Sequence, residues 1–182
     1  NVILYPGPKY LAGSDPFSVA LADLNLDGIP DLITTNLSSG SVSVLLGNGD
    51  ATYQTEQRFN TFASFPITIA VADFNLDGLP DLVTVNTSSN NVSIFLGNGD
   101  GTFQTAQRFS VGSSPRSAAV DDFNLDGLPD LSVANSGGSD ISVLLGNGNG
   151  TFQVQRRFTV GSSPQSVAVA DLNNDGIPDI VT

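Results

Sequence analysis

One stretch of about 49 residues shows the apolar and polar pattern most clearly. Ile67-Thr-Ile-Ala-Val-Ala72 mixes β-branched with small residues and predicts a first strand. An acidic loop follows it. Leu82-Val-Thr-Val85 predicts a second strand, and 86–91 is a polar turn. Val92, Ile94 and Leu96 then fall on one face of a third strand, as period-two alternation requires. Gly97-Asn-Gly-Asp-Gly101 is a tight hairpin signal, and 102–109 predicts a fourth, outer strand. No segment carries a helical period.

The loop between the first two strands recurs four times. It runs Asp23-Leu-Asn25-Leu-Asp27-Gly28-Ile-Pro-Asp31 and returns at Asp73, Asp122 and Asp171, with starts 50, 49 and 49 residues apart. Every copy has Asp at positions 1, 5 and 9, Asn at 3, Gly at 6 and Pro at 8. These are oxygen donors only, the chemistry of a hard cation. Calcium takes about 6–8 oxygens from carboxylates, amides and main-chain carbonyls. Alternate residues 1, 3 and 5 can face one side of a tight loop, Gly permits the bend, the Ile29 carbonyl can point inward, and Asp31 completes the shell. The first six positions look like an EF-hand loop, but position 12 lacks its Glu: it is Thr34, Thr84, Val133 or Thr182. Pro at position 8 and the β-branched residues after it exclude an exiting helix. Local Asx turns also favour Asp, Asn and Gly; four copies that keep all three Asp point to ligation instead. Magnesium keeps its waters and suits an all-protein cage less well.

Charge supports that reading. The 182 residues carry a net charge of −12, and twelve of the 18 acidic residues sit in the four loops. Four bound Ca2+ would bring the total to about −4. Lys9, Arg58, Arg108, Arg116, Arg156 and Arg157 are the only cations, too few and too scattered for a nucleic-acid surface. No apolar run is long enough to span a membrane. The chain has no His and no Cys, so the usual general bases and nucleophiles are scarce. A calcium-loaded fold suits a calcium-rich exterior. With Asn1 in place of Met, a secretion signal could already have been removed, and an extracellular or cell-surface setting is expected.

Internal repeats of this period indicate a solenoid, propeller or array, and four antiparallel strands per repeat describe propeller blades. The fold class is therefore all-β, with three complete blades at about 16–60, 66–111 and 115–160 and partial terminal blades at 1–11 and 165–182. Ala20, Ala22, Ala70, Ala72, Ala168 and Ala170 suit a crowded inner strand, and Phe103, Phe109, Phe152 and Phe158 suit packing between blades. With one strand short of four blades, the chain is expected to join missing blades, pair with copies of itself, or close as a small ring.

The D-x-N-x-D-G-x-x-D loops, with Gly-Asn-Gly-(Asp/Asn)-Gly-Thr-Phe, resemble the FG-GAP/VCBS repeats of integrin α-subunit-like propellers. That resemblance covers essentially the whole chain. It implies one calcium per loop, up to four in all. The implied ligands are the side chains of Asp23, Asn25, Asp27 and Asp31; Asp73, Asn75, Asp77 and Asp81; Asp122, Asn124, Asp126 and Asp130; and Asp171, Asn173, Asp175 and Asp179. The carbonyls of Ile29, Leu79, Leu128 and Ile177 complete the set. It also implies a ligand face opposite the calcium loops. Arg116 replaces Phe17, Ile67 and Gln165, and Asp121 replaces Ala22, Ala72 and Ala170, which makes these two the candidate ligand contacts. The expected function is a non-catalytic, calcium-stabilised module for adhesion or for binding a protein or carbohydrate. The alternatives are an accessory part of an extracellular polysaccharide-degrading enzyme, or a spacer.

Overall fold

The computed structural model describes residues 8–182, so most of the expected leading strand at 1–11 lies outside the described residues. Three four-stranded antiparallel sheets follow one another. The first holds β1 (Pro16–Ala22), β2 (Asp31–Asn36), β3 (Ser41–Leu45) and β4 (Gln57–Asn60). The second holds β5 (Pro66–Ala72), β6 (Asp81–Asn86), β7 (Asn91–Phe95) and β8 (Gln107–Ser110). The third holds β9 (Pro115–Asp121), β10 (Asp130–Asn135), β11 (Asp140–Leu144) and β12 (Arg156–Thr159). A two-stranded sheet of β13 (Ala168–Ala170) and β14 (Asp179–Val181) ends the chain. Neighbours in sequence are neighbours in each sheet, the simplest meander. Among the described residues the sheets form an arc and do not close into a ring.

The outer strand is shorter than its apolar pattern suggests. In the second repeat, pairing covers Gln107–Ser110, with only an isolated bridge between Gly97 and Phe103 before it. The intervening residues leave the ladder because Phe103 turns inward to the blade interface. Its ring meets Phe59 edge-on at 5.2 Å and Phe95 at 6.3 Å. Phe152 does the same against Phe109 at 5.2 Å and Phe74 at 5.7 Å. Such edge-to-face pairs add about 0.5–1.5 kcal/mol beyond the area they bury.

Two apolar cores lie between the sheets. The first joins Leu24, Ile33, Val42 and Val44 to Ile69, Leu82 and Phe95. The second joins Phe74, Val83, Val92 and Ile94 to Leu131, Val133, Leu144 and Phe152. Strand alternation produces this division. In β6, Val83 packs toward the next sheet while Leu82 packs toward the preceding one. The first strands contact one another in turn, β1 with β5, β5 with β9 and β9 with β13. Ala20, Ala22, Ala70, Ala72 and Ala118 occupy these approaches, where a larger side chain would force the strands apart.

A buried Asn ends the second strand of each four-stranded sheet and holds the turn that follows. Asn86 donates from Nδ2 to Asn91 Oδ1 and to Ser93 Oγ, both at 2.8 Å. Asn36 and Asn135 make the equivalent bonds. The turn residues themselves are free to vary because the anchor lies beneath them. In the second repeat the turn includes one short 3-10 segment, Thr87–Ser89.

Candidate metal loops and their setting

Each acidic loop joins the first strand of a sheet to the second, and all four fold alike. In the second copy Asp73 accepts hydrogen bonds from Asp77 N at 3.1 Å and Gly78 N at 2.8 Å. Asn75 Oδ1 accepts from the same Asp77 amide at 3.2 Å, and Asn75 Nδ2 donates to Asp77 Oδ2 at 2.8 Å. Asp77 Oδ1 accepts from Leu79 N at 2.8 Å. The first and third copies repeat these bonds through Asp23, Asn25, Asp27 and Ile29, and through Asp122, Asn124, Asp126 and Leu128. The fourth repeats the backbone bonds through Asp171, Asn173, Asp175 and Ile177. The amides of Gly176 and of Asp175 hold the Asp171 carboxyl below its ordinary value.

Backbone shape forces this arrangement. Gly28, Gly78, Gly127 and Gly176 all sit at φ +82° with open space where a Cβ would go. Glycine is needed there for its torsion and not for room. Position 4 is also left-handed: Leu26, Leu76 and Leu125 at φ 58–60°, and Asn174 at φ 60°. Three exposed leucines therefore hold a conformation that L-residues other than Asn and Asp seldom adopt.

Position 9 plays a part that its spacing in the loop does not reveal. Asp81 is fully buried. Its Oδ2 accepts from Phe74 N at 2.8 Å and its Oδ1 from Gly97 N at 2.7 Å. One carboxylate thus ties the acidic loop to the Gly-Asn-Gly hairpin. Asp31 does the same with Leu24 and Gly47, and Asp130 with Phe123 and Gly146. Gly97 must be glycine because a Cβ would collide with the Pro80 carbonyl. Burial raises the carboxyls of Asp81 and Asp130 above their ordinary value, and the neighbouring loop aspartates push the same way. A constant interval of 16 residues from this Asp to the hairpin Gly is the signal in the sequence. Asp179 accepts from Leu172 N at 3.0 Å, the same first bond.

The donors are carboxylate and amide oxygens without nitrogen or sulfur, which fits a hard divalent ion. Two of those oxygens, on Asp73 and Asn75, already converge on one amide hydrogen. Among the described residues the three carboxylates of a loop do not gather at one centre; those at positions 1 and 5 turn onto the loop's own amides, and that at position 9 onto the amides of position 2 and of the hairpin Gly.

The two candidate ligand contacts are not brought together. Arg116 and Asp121 lie near opposite ends of β9, five residues apart, about 17 Å along the strand. Arg116 is exposed beside the turns that follow the second strands, and its carbonyl accepts from Thr68 Oγ1 at 2.8 Å. Asp121 is paired with Asp130 at the acidic-loop end and accepts from Asp122 N at 2.9 Å. The expectation of one shared face fails because a seven-residue strand separates its ends too far.

An apolar cleft of about 420 Å³ lies between the third sheet and the terminal pair of strands. Phe123, Val143, Phe158, Pro178 and Ile180 line it, with Arg156 and Asn124 as its polar members.

Several solved structures share the fold. A lectin from Agrocybe aegerita that recognises non-reducing terminal N-acetylglucosamine is 24% identical, with a TM-score of 0.61 over 88% of this chain and 44% of the lectin. The periplasmic gluconolactonase PpgL of Pseudomonas aeruginosa is 22% identical, with a TM-score of 0.63 over 93% of this chain and 43% of the enzyme. BBS1N, solved in complex with ARL6DN, is 15% identical, with a TM-score of 0.60 over 89% and 48% of the two chains. The chain spans about half the length of these structures. No curated protein matches it significantly. Among the described residues no helix is long and apolar enough to cross a membrane. The FG-GAP-like repeat family matches residues 23–84, 73–133 and 122–182, each match running from one acidic loop through the next. With these matches spanning nearly all of the described repeats, the chain belongs to the FG-GAP-like repeat family.

Proposed function

We propose that the chain is a non-catalytic propeller module that calcium stabilises and that presents a binding face outside the cell. One observation carries this reading: the same all-oxygen loop is built four times, with the same bonds from backbone amides, in FG-GAP-like repeats. Asp, Asn and Asp at positions 1, 3 and 5, Asp at 9 and the carbonyl at 7 would hold one Ca2+ per loop. That ion would replace the mutual repulsion of the loop carboxylates with a shared attraction, so binding would add to folding stability.

The binding face is the end of the sheets carrying Arg116 and the variable turns at 37–41, 87–91 and 136–140. A protein or a carbohydrate is the expected ligand. The Agrocybe lectin and the BBS1N complex show that structures of this fold serve both kinds of partner. An extracellular or periplasmic setting agrees with the calcium requirement and with the periplasmic neighbour. A second reading, an accessory region of a sugar-processing enzyme, draws on the gluconolactonase likeness.

Native mass spectrometry with and without chelator tests the metal. Up to four Ca2+ per chain are expected. Asp77→Ala should remove one and lower the melting temperature at saturating calcium; unchanged ion count and melting temperature would refute the assignment. Glycan-array binding and a polysaccharide-degradation assay separate module from enzyme. Turnover by the purified chain would end the non-catalytic reading.

A further inference from the structure

The arginines of the outer strands repeat, but their partners do not. Arg58, Arg108 and Arg157 stand opposite Ser43, Ser93 and Ser142 in the same register. Glu56, two residues before Arg58, holds it in a fork, with Nε to Oε1 at 3.1 Å and Nη2 to Oε2 at 2.9 Å, and also accepts from the Ser43 hydroxyl. Arg157 is paired instead with Asp140. The second sheet has neither acid. Ala106 stands at the position of Glu56, and Asn91 at that of Asp140. Among the described residues Arg108 forms no ion pair, and its Nη1 donates to Phe62 O at 2.6 Å.

Phe62 belongs to the link 61–65, one residue longer than the equivalent links 111–114 and 160–163. It is 55% exposed and borders a groove of about 210 Å³ at the outer rim of the seam between the first and second sheets. Asn60, Phe103, Gln104, Thr105 and Ala106 line the same groove. A glutamate at 106 would set its carboxylate beside Arg108 as Glu56 does beside Arg58. With alanine there, that place is open to the groove.

We propose that this groove binds a carboxylate-bearing sugar, a uronate, whose acid group takes the place that Glu56 fills in the first sheet. Charge complementarity selects the acid: Arg108 is exposed, and its remaining N–H donors match a carboxylate in fork geometry. The rest of the lining selects a sugar. Phe62 offers an exposed ring to sugar C–H groups, and the exposed Asn60, Gln104 and Thr105 offer amides and a hydroxyl to sugar hydroxyls. Asn60 Oδ1 already accepts from Phe62 N at 2.6 Å, which leaves Nδ2 to donate. The volume suits a single ring and not a folded segment of protein. This site lies on the rim, apart from the turn end that carries Arg116, so it stands or falls independently of that binding face.

Titration of the full chain with glucuronate and with glucose tests the site, read by NMR of the Arg108 side-chain Nε–H and of the backbone amides of 60–62 and 104–106. Glucuronate should shift these resonances saturably. Glucose, with a hydroxymethyl group in place of the carboxylate, should not. Arg108→Gln and Ala106→Glu should each weaken glucuronate binding about tenfold or more, the effect of losing a charge-assisted pair. Ala106→Glu supplies the carboxylate within the chain, so binding should be lost while the melting temperature is kept or raised. No shift with millimolar glucuronate would overturn the proposal, as would an equal response to glucose or binding undiminished in either variant. Acetate or a glutamate-containing peptide binding as tightly as glucuronate would overturn the assignment to a sugar.

Discussion

Asp81→Asn separates the structural role of position 9 from any metal. The carboxylate is fully buried and accepts from two backbone amides, Phe74 N at 2.8 Å and Gly97 N at 2.7 Å. Asparagine has nearly the same shape but only one acceptor oxygen. Whichever way its amide turns, one backbone N–H then faces an N–H donor. A hydrogen bond to a charged group is worth about 1.5–3 kcal/mol, and an unsatisfied buried donor costs about 1–3 kcal/mol. These figures describe overlapping parts of one loss and are not summed. Burial of the carboxylate raises its pKa, so a neutral amide recovers a part of that loss. The expected net loss is about 2 kcal/mol, or roughly 4–8 °C in melting temperature for a chain of this size. Urea denaturation in excess chelator is the assay, with Asp77→Asn, an exposed loop residue, as control. The reasoning is refuted if Asp81→Asn lies within about 0.5 kcal/mol of the parent in chelator. It is equally refuted if the loss appears only when calcium is present.

Other positions give independent tests. Phe152→Ala removes the ring that meets Phe74 and Phe109 and should cost about 3–5 kcal/mol by urea denaturation. Leu76→Asn should raise stability by about 0.5–1 kcal/mol, because Asn tolerates the left-handed φ of 59° and already fills that position as Asn174. Asp100 should titrate below the ordinary carboxylate value by NMR, since Thr102 donates from its hydroxyl at 2.6 Å and its amide at 2.9 Å. Thr102→Val should move that titration back toward normal. Linkage fixes the sign: a lowered folded pKa gives stability present above the unfolded value, lost as pH falls through the folded one.

The acidic loops and the blade interfaces meet at a few residues. Phe74 donates its amide to Asp81, accepts from Gly150 N of the next repeat at 3.0 Å, and lays its ring against Phe152. The acidic loop is therefore bonded directly to the neighbouring blade. Calcium removal should loosen blade packing as well as the loop, and hydrogen exchange at Gly150 in calcium and in chelator would read that coupling.

Period-two runs, a period of 49 and Gly-Asn-Gly turns made four-stranded blades legible, because strand alternation and hairpin torsions are local properties. The oxygen-only loops were legible for the same reason: ligand type, spacing and the glycine bend lie within nine residues. What required tertiary structure involved partners far along the chain. Phe103 and Phe152 leave their strands to enter interfaces, which shortens the outer ladder. Asp31, Asp81 and Asp130 reach amides 16 residues on. Arg116 and Asp121 both stood out as departures from the repeat, yet a strand's length divides them, and only the sheet register shows it. Residue types and short spacings set each blade's chemistry; the packing of one blade on the next decided which faces are filled and which remain open.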